Sequence, residues 1–317
     1  MFYKIYAKKN LVTGGAGFIG SHIVDTLIQD GYAVVVVDNL STGNKANLNP
    51  KAKFYEIDIC DKKVEKIFKI EKPELVCHQA GHINVRYSVE NPIFDAKHNI
   101  IGSLNILQNC VKYKIQKIVF ASSGGALYGE AETIPTPEIY PTQPVSPYGI
   151  AKLSVENYLY YYFKIYGLKF TALRYANVYG PRQNSQGEAG VIAIFAEKIL
   201  KKQQLIINGN GKQTRDFVFV DDVVNANILG LKNNKTGSYN VGTGVETDIN
   251  QIIQKLVQIT GIRIKEKHQS AKIGEQLKSC LSFAKIKKEF GWRPRFNLDK
   301  ELKKTIKWFR QKYKMTT

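Results

Sequence analysis

The chain has no apolar run approaching the roughly 18 residues that a membrane-spanning helix requires. Its opening, MFYKIYAKKN, lacks the apolar segment of a signal peptide. Both absences lead us to expect a cytoplasmic protein with no membrane partner. Cysteine is scarce. Cys60, Cys77, Cys110 and Cys280 are scattered without CxxC spacing or pairing to histidine, which excludes a disulfide framework and a zinc-type site. Buried free thiols are expected, and no metal. Acids are also few, with 27 Asp and Glu against 46 Lys and Arg for a formal charge of +19; residues 261–317 hold 17 of those bases and only 5 acids. Such a surface is first a solvated face, then a means of steering a small anion, and only distantly a nucleic-acid site.

What is present suits a globular protein. Of 317 residues, 44% are hydrophobic and 23% charged, enough apolar material for one large domain or two modest ones. Leu11 and Val12 end a short strand, Gly17–Asp30 reads as a helix stopped by Gly31, and Ala33–Asp38 (AVVVVD) is an apolar run suited to a buried parallel strand. The intervening turn, TGGAGFIG, spaces Gly14, Gly17 and Gly20 three residues apart. Glycine there permits a tight turn, close approach of backbone to a pyrophosphate and close helix packing, with the helix N-terminus facing the negative charge. Asp38 ends the next strand. A carboxylate at that point accepts hydrogen bonds from an adenosine ribose and repels a 2′-phosphate, favouring NAD over NADP.

Strands at Lys53–Ile57, Leu75–His78 and Lys117–Ser122, with a helix over Ile93–Tyr113, extend the pattern to an α/β fold: a Rossmann-type, doubly wound parallel sheet. Ligand contacts in such a sheet come from residues just past the strand ends, here Asp58, His78 to Gly81, and Ser122 to Gly125. His78 reads as a structural histidine, and Asp58 fits a helix cap or an adenine contact equally well. After a strand at Lys169–Tyr175 the alternation weakens. A helix at Val191–Lys202, a strand at Leu205–Ile207, the stretch RDFVFVDD at 215–222 and helices near 248–260 and 299–313 suggest a smaller C-terminal α/β lobe. The expected division is a dinucleotide-binding domain at 1–176, rejoined by about 216–241, and a substrate lobe mainly at 177–317.

SPYGIAK, residues 146–152, places chemistry on this frame. Ser146 is a good N-cap and Pro147 suits the first helical position, so Tyr148 and Lys152 share one helix face. A lysine cation near a phenol favours the phenolate, a general base for an alcohol. Alone, the same pair also fits an ordinary surface helix. The tyrosines at 158, 160, 161, 162 and 166 further along are expected to pack.

Taken together, TGGAGFIG, the DNLSTG that begins at Asp38, HQAG, NPIFDAKHN, SSGGALYG, SPYGIAK and RYANVYGPRQ resemble, in order and spacing, the NAD-dependent epimerase/dehydratase family of extended short-chain dehydrogenases/reductases. Within it the likeness is greatest to the UDP-glucose 4-epimerases. The resemblance implies 4-epimerisation of a UDP-hexose through a transient 4-keto sugar, a role in nucleotide-sugar and galactose metabolism, bound NAD, and a homodimer formed through the helices at about 93–113 and 147–166. It implies Tyr148 as the active-site base with Lys152 as its partner on the nicotinamide ribose. It also implies cofactor contacts at Gly14, Gly17, Phe18, Ile19, Gly20, Asp38, Asn39, Asp58, Ile59, Gln79, Ala80, Gly81, Asn99, Ser122 and Tyr175. Asn177, Val191, Arg215, Glu275 and Ser279 fall at substrate positions, with Arg215 gripping the diphosphate.

Two departures stand out. The family's usual Ser or Thr four residues before the tyrosine of its YG motif is here Gly124, and Ser123 is the expected substitute, brought in by the freedom of a Gly-Gly pair. Lys272 stands where an arginine precedes a Gly-acid pair. SSGGALYG also lacks the acids that related dehydratases and decarboxylases carry there, which leaves epimerisation. Ser279 falls where a small residue admits N-acetylated sugars. UDP-glucuronate or another sugar nucleotide is the alternative substrate, and a catalytically silent NAD- or nucleic-acid-binding scaffold is the rival of another class.

Overall fold

The β-branched run at 33–38 forms a strand buried over its last five residues, as an apolar run covered on both faces must be. The structure, a computed structural model, describes residues 8–186, 190–270 and 276–314. In chain order the main elements run β1 (Lys9–Thr13), α1 (Phe18–Gln29), β2 (Ala33–Asp38), β3 (Lys53–Glu56), α2 (Val64–Glu71), β4 (Leu75–His78), α3 (Val85–Glu90) and α4 (Pro92–Ala96). After a π-helical turn at Lys97–Ile101 come α5 (Gly102–Lys112), β5 (Lys117–Ser123), α6 (Gly124–Leu127), α7 (Pro147–Tyr166), β6 (Lys169–Tyr175) and β7 (Asn177–Tyr179). The remainder is α8 (Val191–Leu200), β8 (Leu205–Asn208), β9 (Thr214–Phe219), α9 (Val220–Lys232), β10 (Gly237–Val241), β11 (Glu246–Asp248), α10 (Ile249–Thr260), β12 (Glu266–Gln269), β13 (Lys278–Ser279), α11 (Ala284–Phe290) and α12 (Leu298–Lys312).

The chain divides into two compact units. One comprises Met1–Ser122, Ser146–Leu173 and Val224–Ser238; the other comprises Ser123–Val145, Arg174–Val223 and Tyr239–Thr317. The large sheet has the order β10-β6-β5-β4-β1-β2-β3. Pairings of β1 with β2 and β4, of β2 with β3 and of β4 with β5 are all parallel. The chain starts mid-sheet, winds one way to β3 and then returns to wind the other way. The reversal falls between β1 and β4, whose C-terminal ends therefore open a crevice suited to a ligand. Leu11, Val37, Val76 and Phe120 of the strands pack with Phe68, Ile106 and Leu159 of the helices in one core.

In the second unit β9 is the axis. It pairs with β11 and β13 near Arg215 and with β7 further along, while β8 and β12 form a separate pair. Residues 215–222 supply both the end of β9 and the first turn of α9, where Asp221 and Asp222 favour the positive end of the helix dipole.

Three local expectations need revision. The helix over 93–113 is interrupted by the π turn at Lys97–Ile101, in which Asn99 is buried. Of the α7 tyrosines at 158, 160, 161, 162 and 166 only Tyr162 is buried; Tyr158, Tyr160, Tyr161 and Tyr166 are exposed, with Tyr160 on the helix face opposite Ala151 and Val155. Cys77, Cys110 and Cys280 are buried free thiols as expected, but Cys60 is only half-buried. Among the described residues no helix is long and apolar enough to cross a membrane.

Lys117, at the start of β5, is buried and its ammonium donates to the carbonyls of Asn233 and Lys235, just past α9. Burial, with the nearby Lys169 cation, lowers its pKa to about 8. Between that value and the ordinary one of 10.5 the unfolded chain binds the extra proton, so the parent gains stability as pH rises. We expect Lys117→Met to cost about 1–3 kcal/mol near neutrality through the unmade hydrogen bonds. The gap should widen from pH 8 towards 10.5. Guanidinium midpoints at pH 7.5 and 10 measure this, and an unchanged gap would refute it.

Candidate active site

The glycines of the first turn are fixed by space as much as by angle. Gly14 has φ +70° and donates from its N–H to the Val37 carbonyl at 2.8 Å; a Cβ there would lie 2.7 Å from the Ala80 nitrogen. A Cβ on Gly20 would lie 2.1 Å from the Gly14 oxygen. Backbone thus meets backbone where β1 and β4 diverge. α1 begins there with Gly17 as its N-cap, with no side-chain cap and no acid in its first turn, which contains Phe18 and Ile19. Its N–H groups are left to an anion. The Asp38 carboxylate, at the end of β2, accepts from the Ala16 and Leu40 N–H groups. Asn39 donates to Asp58, whose other oxygen accepts from the Cys60 N–H. Burial raises the Asp58 pKa, but these hydrogen bonds outweigh it and hold the carboxyl below its usual range. Ile59 lies against the bare face of Gly102.

Behind the crevice runs a buried hydrogen-bonded chain. The Ala80 N–H donates to Thr13 Oγ1, which lies 2.6 Å from His78 Nδ1; His78 Nε2 lies 2.9 Å from Ser103 Oγ, which donates to the Asn99 carbonyl. Ser103 has one proton and gives it to Asn99, so it accepts from Nε2–H, and Thr13 must donate to Nδ1. His78 is therefore neutral. Burial and the nearby Lys152 cation lower its pKa to about 3. The Asn99 amide is equally committed, donating to the His82 carbonyl and Asp95 and accepting from the His82 N–H. The Gln79 side chain reaches Asn227 in α9.

Ser146 caps α7 by accepting from the Gly149 N–H, and Pro147 takes the first position, as the sequence suggested. The Tyr148 N–H donates to Ser88. Lys152 is 4% exposed; its ammonium donates to the Ala121 carbonyl at 2.9 Å and lies 4.9 Å from the Phe120 ring centre and 5.7 Å from that of Tyr148. Burial lowers its pKa to about 8, opposed by the charge of Asp95. Gly81 completes the surround: a Cβ there would lie 3.3 Å from the Lys152 nitrogen. Ser122 does not face outward, because its hydroxyl donates to buried Glu156.

The second unit gathers a different set. Ser279 pairs with Arg215 in register and Asn177 pairs with Phe217, two residues further along β9, so all three fall on one face of the sheet. Arg215 donates to the Thr214 carbonyl. Val191 opens α8 and Tyr175 is buried at the end of β6. Ser123 opens α6 without capping it, leaving its hydroxyl unspent on the helix. Glu275 and Lys272 lie outside the described residues.

Residues 10–242 match the NAD-dependent epimerase/dehydratase family. This chain belongs to that family. It is 49% identical to a UDP-glucose 4-epimerase of Thermotoga maritima solved with UDP-glucose, over 96% of this chain and 99% of that one, with a TM-score of 0.95. A UDP-glucose 4-epimerase of Thermus thermophilus, solved with NAD, is 42% identical over 95% and 99%, with a TM-score of 0.91. A UDP-N-acetylglucosamine 4-epimerase of Methanobrevibacter ruminantium, in complex with UDP-N-acetylmuramic acid, is 35% identical over 97% and 100%, with a TM-score of 0.92.

The first unit fits the NAD that gives the epimerase/dehydratase family its description: the cradle at Gly14 and Gly20 has no room for a Cβ, and the uncapped start of α1 suits a pyrophosphate. One alternative kept open for Asp58 is now closed, since α2 begins at Val64 with Lys63 as its N-cap. Asp58, Cys60 and His98 bring potential ligand atoms within 4.8 Å of one another, but burial and Asp58 push the Cys60 thiol up to about 12, and it donates to the Lys97 carbonyl. Sequence reasoning missed Thr13, Ser103 and Asp95. Thr13 had a signal, a short polar residue ending an apolar strand beside the glycine turn.

His78 resists protonation to about pH 3 when folded but titrates near 6.5 when unfolded. The unfolded chain thus binds more protons below 6.5, and stability falls with pH across that window. We expect His78→Gln to lose about 2 kcal/mol less than the parent between pH 7 and pH 5. Urea unfolding at the two pH values checks it; equal losses would count against a neutral buried His78.

Proposed function

We propose that the chain is an NAD-dependent isomerase that interconverts UDP-hexoses at C4. The observation that carries the reading is the buried Lys152 ammonium held against Tyr148 on the first turns of α7. That cation favours the phenolate, so Tyr148 serves as the base for the sugar 4-hydroxyl. Gly14, Gly17 and Gly20 hold the dinucleotide backbone, Asp38 the adenosine ribose, and Lys152 the nicotinamide ribose. Bound NAD supplies a hydride acceptor and donor at its nicotinamide. Tyr148 withdraws the proton as C4 gives up its hydride, and returns it when the 4-keto sugar has turned and taken hydride on its other face. No net oxidation occurs. Arg215 and Asn177 keep the keto sugar in place through its diphosphate, which a guanidinium fork suits. Ser123 supplies the hydroxyl that steadies the reacting oxygen.

Several tests bear on this reading. Incubation with UDP-galactose, UDP-N-acetylgalactosamine or UDP-glucuronate, followed by NMR, should show the two hexoses converted to their gluco epimers. The N-acetyl sugar is included because Ser279 is small and its neighbour Gly125 bears no side chain. Turnover of UDP-glucuronate alone would move the assignment to that substrate, and salt-dependent RNA retention without turnover would favour a silent scaffold. Tyr148→Phe and Lys152→Met should each lower kcat by about 10²–10⁴ while NAD stays bound. Ser123→Ala should cost about 10–100-fold, the worth of a hydrogen bond to a charged oxygen.

A second copy of the chain is the proposed cover for the exposed apolar surface near α4 and along α7, where Ile93 is 86% and Tyr160 57% exposed alongside Tyr161 and Ile165. Sedimentation should give a dimer, and Tyr160→Glu with Ile165→Glu a monomer; a monomeric parent would refute it.

A further inference from the structure

Gly124 does not owe its place to backbone freedom. It is the first residue of α6 and is absent from the positive-φ residues, so the expectation that a Gly-Gly pair rotates Ser123 into position fails on conformation. The reason is space. A Cβ at 124 would lie 2.3 Å from Leu281 Cδ1, 2.9 Å from Cδ2 and 3.1 Å from Cγ. Leu281 is 1% exposed, so the obstructing atoms sit in packed interior rather than at a mobile surface.

Nor is Leu281 free to withdraw. Its N–H donates to Asp216, a buried carboxylate that also accepts from Thr243 and from the Gly244 N–H. Residues on either side are tied to Thr136, whose N–H donates to the Cys280 carbonyl and whose carbonyl accepts from the Ser282 N–H. On its other flank Gly242 lies so near that a Cβ there would be 3.0 Å from that of Leu281. Ser279, two residues earlier, faces Gly125, with its Oγ 4.0 Å from where a Cβ would stand. The segment 279–281 therefore packs its alternate side chains directly onto the two glycines.

We propose that Leu281 is a positioning residue for the reaction: its side chain occupies the volume above position 124, bars any side chain there, and so makes Ser123 the residue of this turn that offers the hydroxyl. The inference rests on the reading that Ser123 assists Tyr148. It assigns a role to a residue that is itself buried, and it makes positions 124 and 281 interchangeable in bulk: glycine with leucine, or serine with alanine.

The test is a set of variants assayed for thermal midpoint with NAD present and for UDP-galactose turnover. Gly124→Ser alone should lower Tm by about 3–8 °C through overpacking, and by much less when measured within Leu281→Ala or the milder Leu281→Val, a non-additivity that contact demands. Ser123→Ala/Gly124→Ser should stay as slow as Ser123→Ala. Adding Leu281→Ala or Leu281→Val to that pair should raise kcat at least about tenfold, the worth of one recovered hydrogen bond to charge. An equal Tm cost of Gly124→Ser with and without Leu281 would overturn the inference, as would full recovery in the pair that keeps Leu281 or no recovery on removing it. Parental turnover of Ser123→Ala would instead overturn the reading of Ser123, a failure that the Tm cycle leaves distinguishable.

Discussion

A buried ammonium governs the first unit. Withdrawing a lysine from water is costly unless its charge is answered nearby, and the surroundings of Lys152 are those answers. The Ala121 carbonyl at the end of β5 accepts its proton, Phe120 presents a ring face, and Asp95 lends an opposing charge from α4. The same cation helps keep His78 neutral. A neutral His78 then has one donor and one acceptor, which fixes the direction of the hydrogen bonds from Ala80 through Thr13 and Ser103 to Asn99. The backbone from Gln79 to His82 is thereby held from beneath, and Gly81 is left without a side chain because Lys152 and Asn99 stand where one would go.

Much of this was legible in the sequence because it is local. The glycines at 14, 17 and 20 lie within one turn, and Ser146, Pro147, Tyr148 and Lys152 within seven residues; spacing alone puts them in register. Strand β2 was readable to its ends, since a run of four valines admits few other structures. Sequence reasoning failed where a partner lies far along the chain. His78 appeared structural, and it is, but the polarity of its network depends on Ser103. Asp95 looked like one more helix residue, although its charge acts on a lysine 57 positions later.

The turn at Ser123 and Gly124 shows the limit most sharply. A departure from a family pattern was visible at once, and backbone flexibility was the natural local explanation. The actual constraint comes from Leu281, 157 residues away, and nothing near either residue announces it. Periodicity marks a leucine as core, but not the hydroxyl-bearing turn on which that core presses. The substrate positions share the difficulty in milder form: Asn177, Arg215 and Ser279 are dispersed in sequence, and only the pairing of β7 and β13 along β9 places them side by side.

The π turn at Lys97–Ile101 has a consequence for the length of the chain itself. A π turn holds one residue more than the α turn it replaces, and each helical residue advances the face by about 100°. Removing one residue would leave a regular helix from α4 into α5, yet it would turn Ser103 about 100° away from His78 relative to α4. The number of residues between α4 and α5 therefore decides which side chains meet His78 and His82, independently of the identity of the residues that lie between.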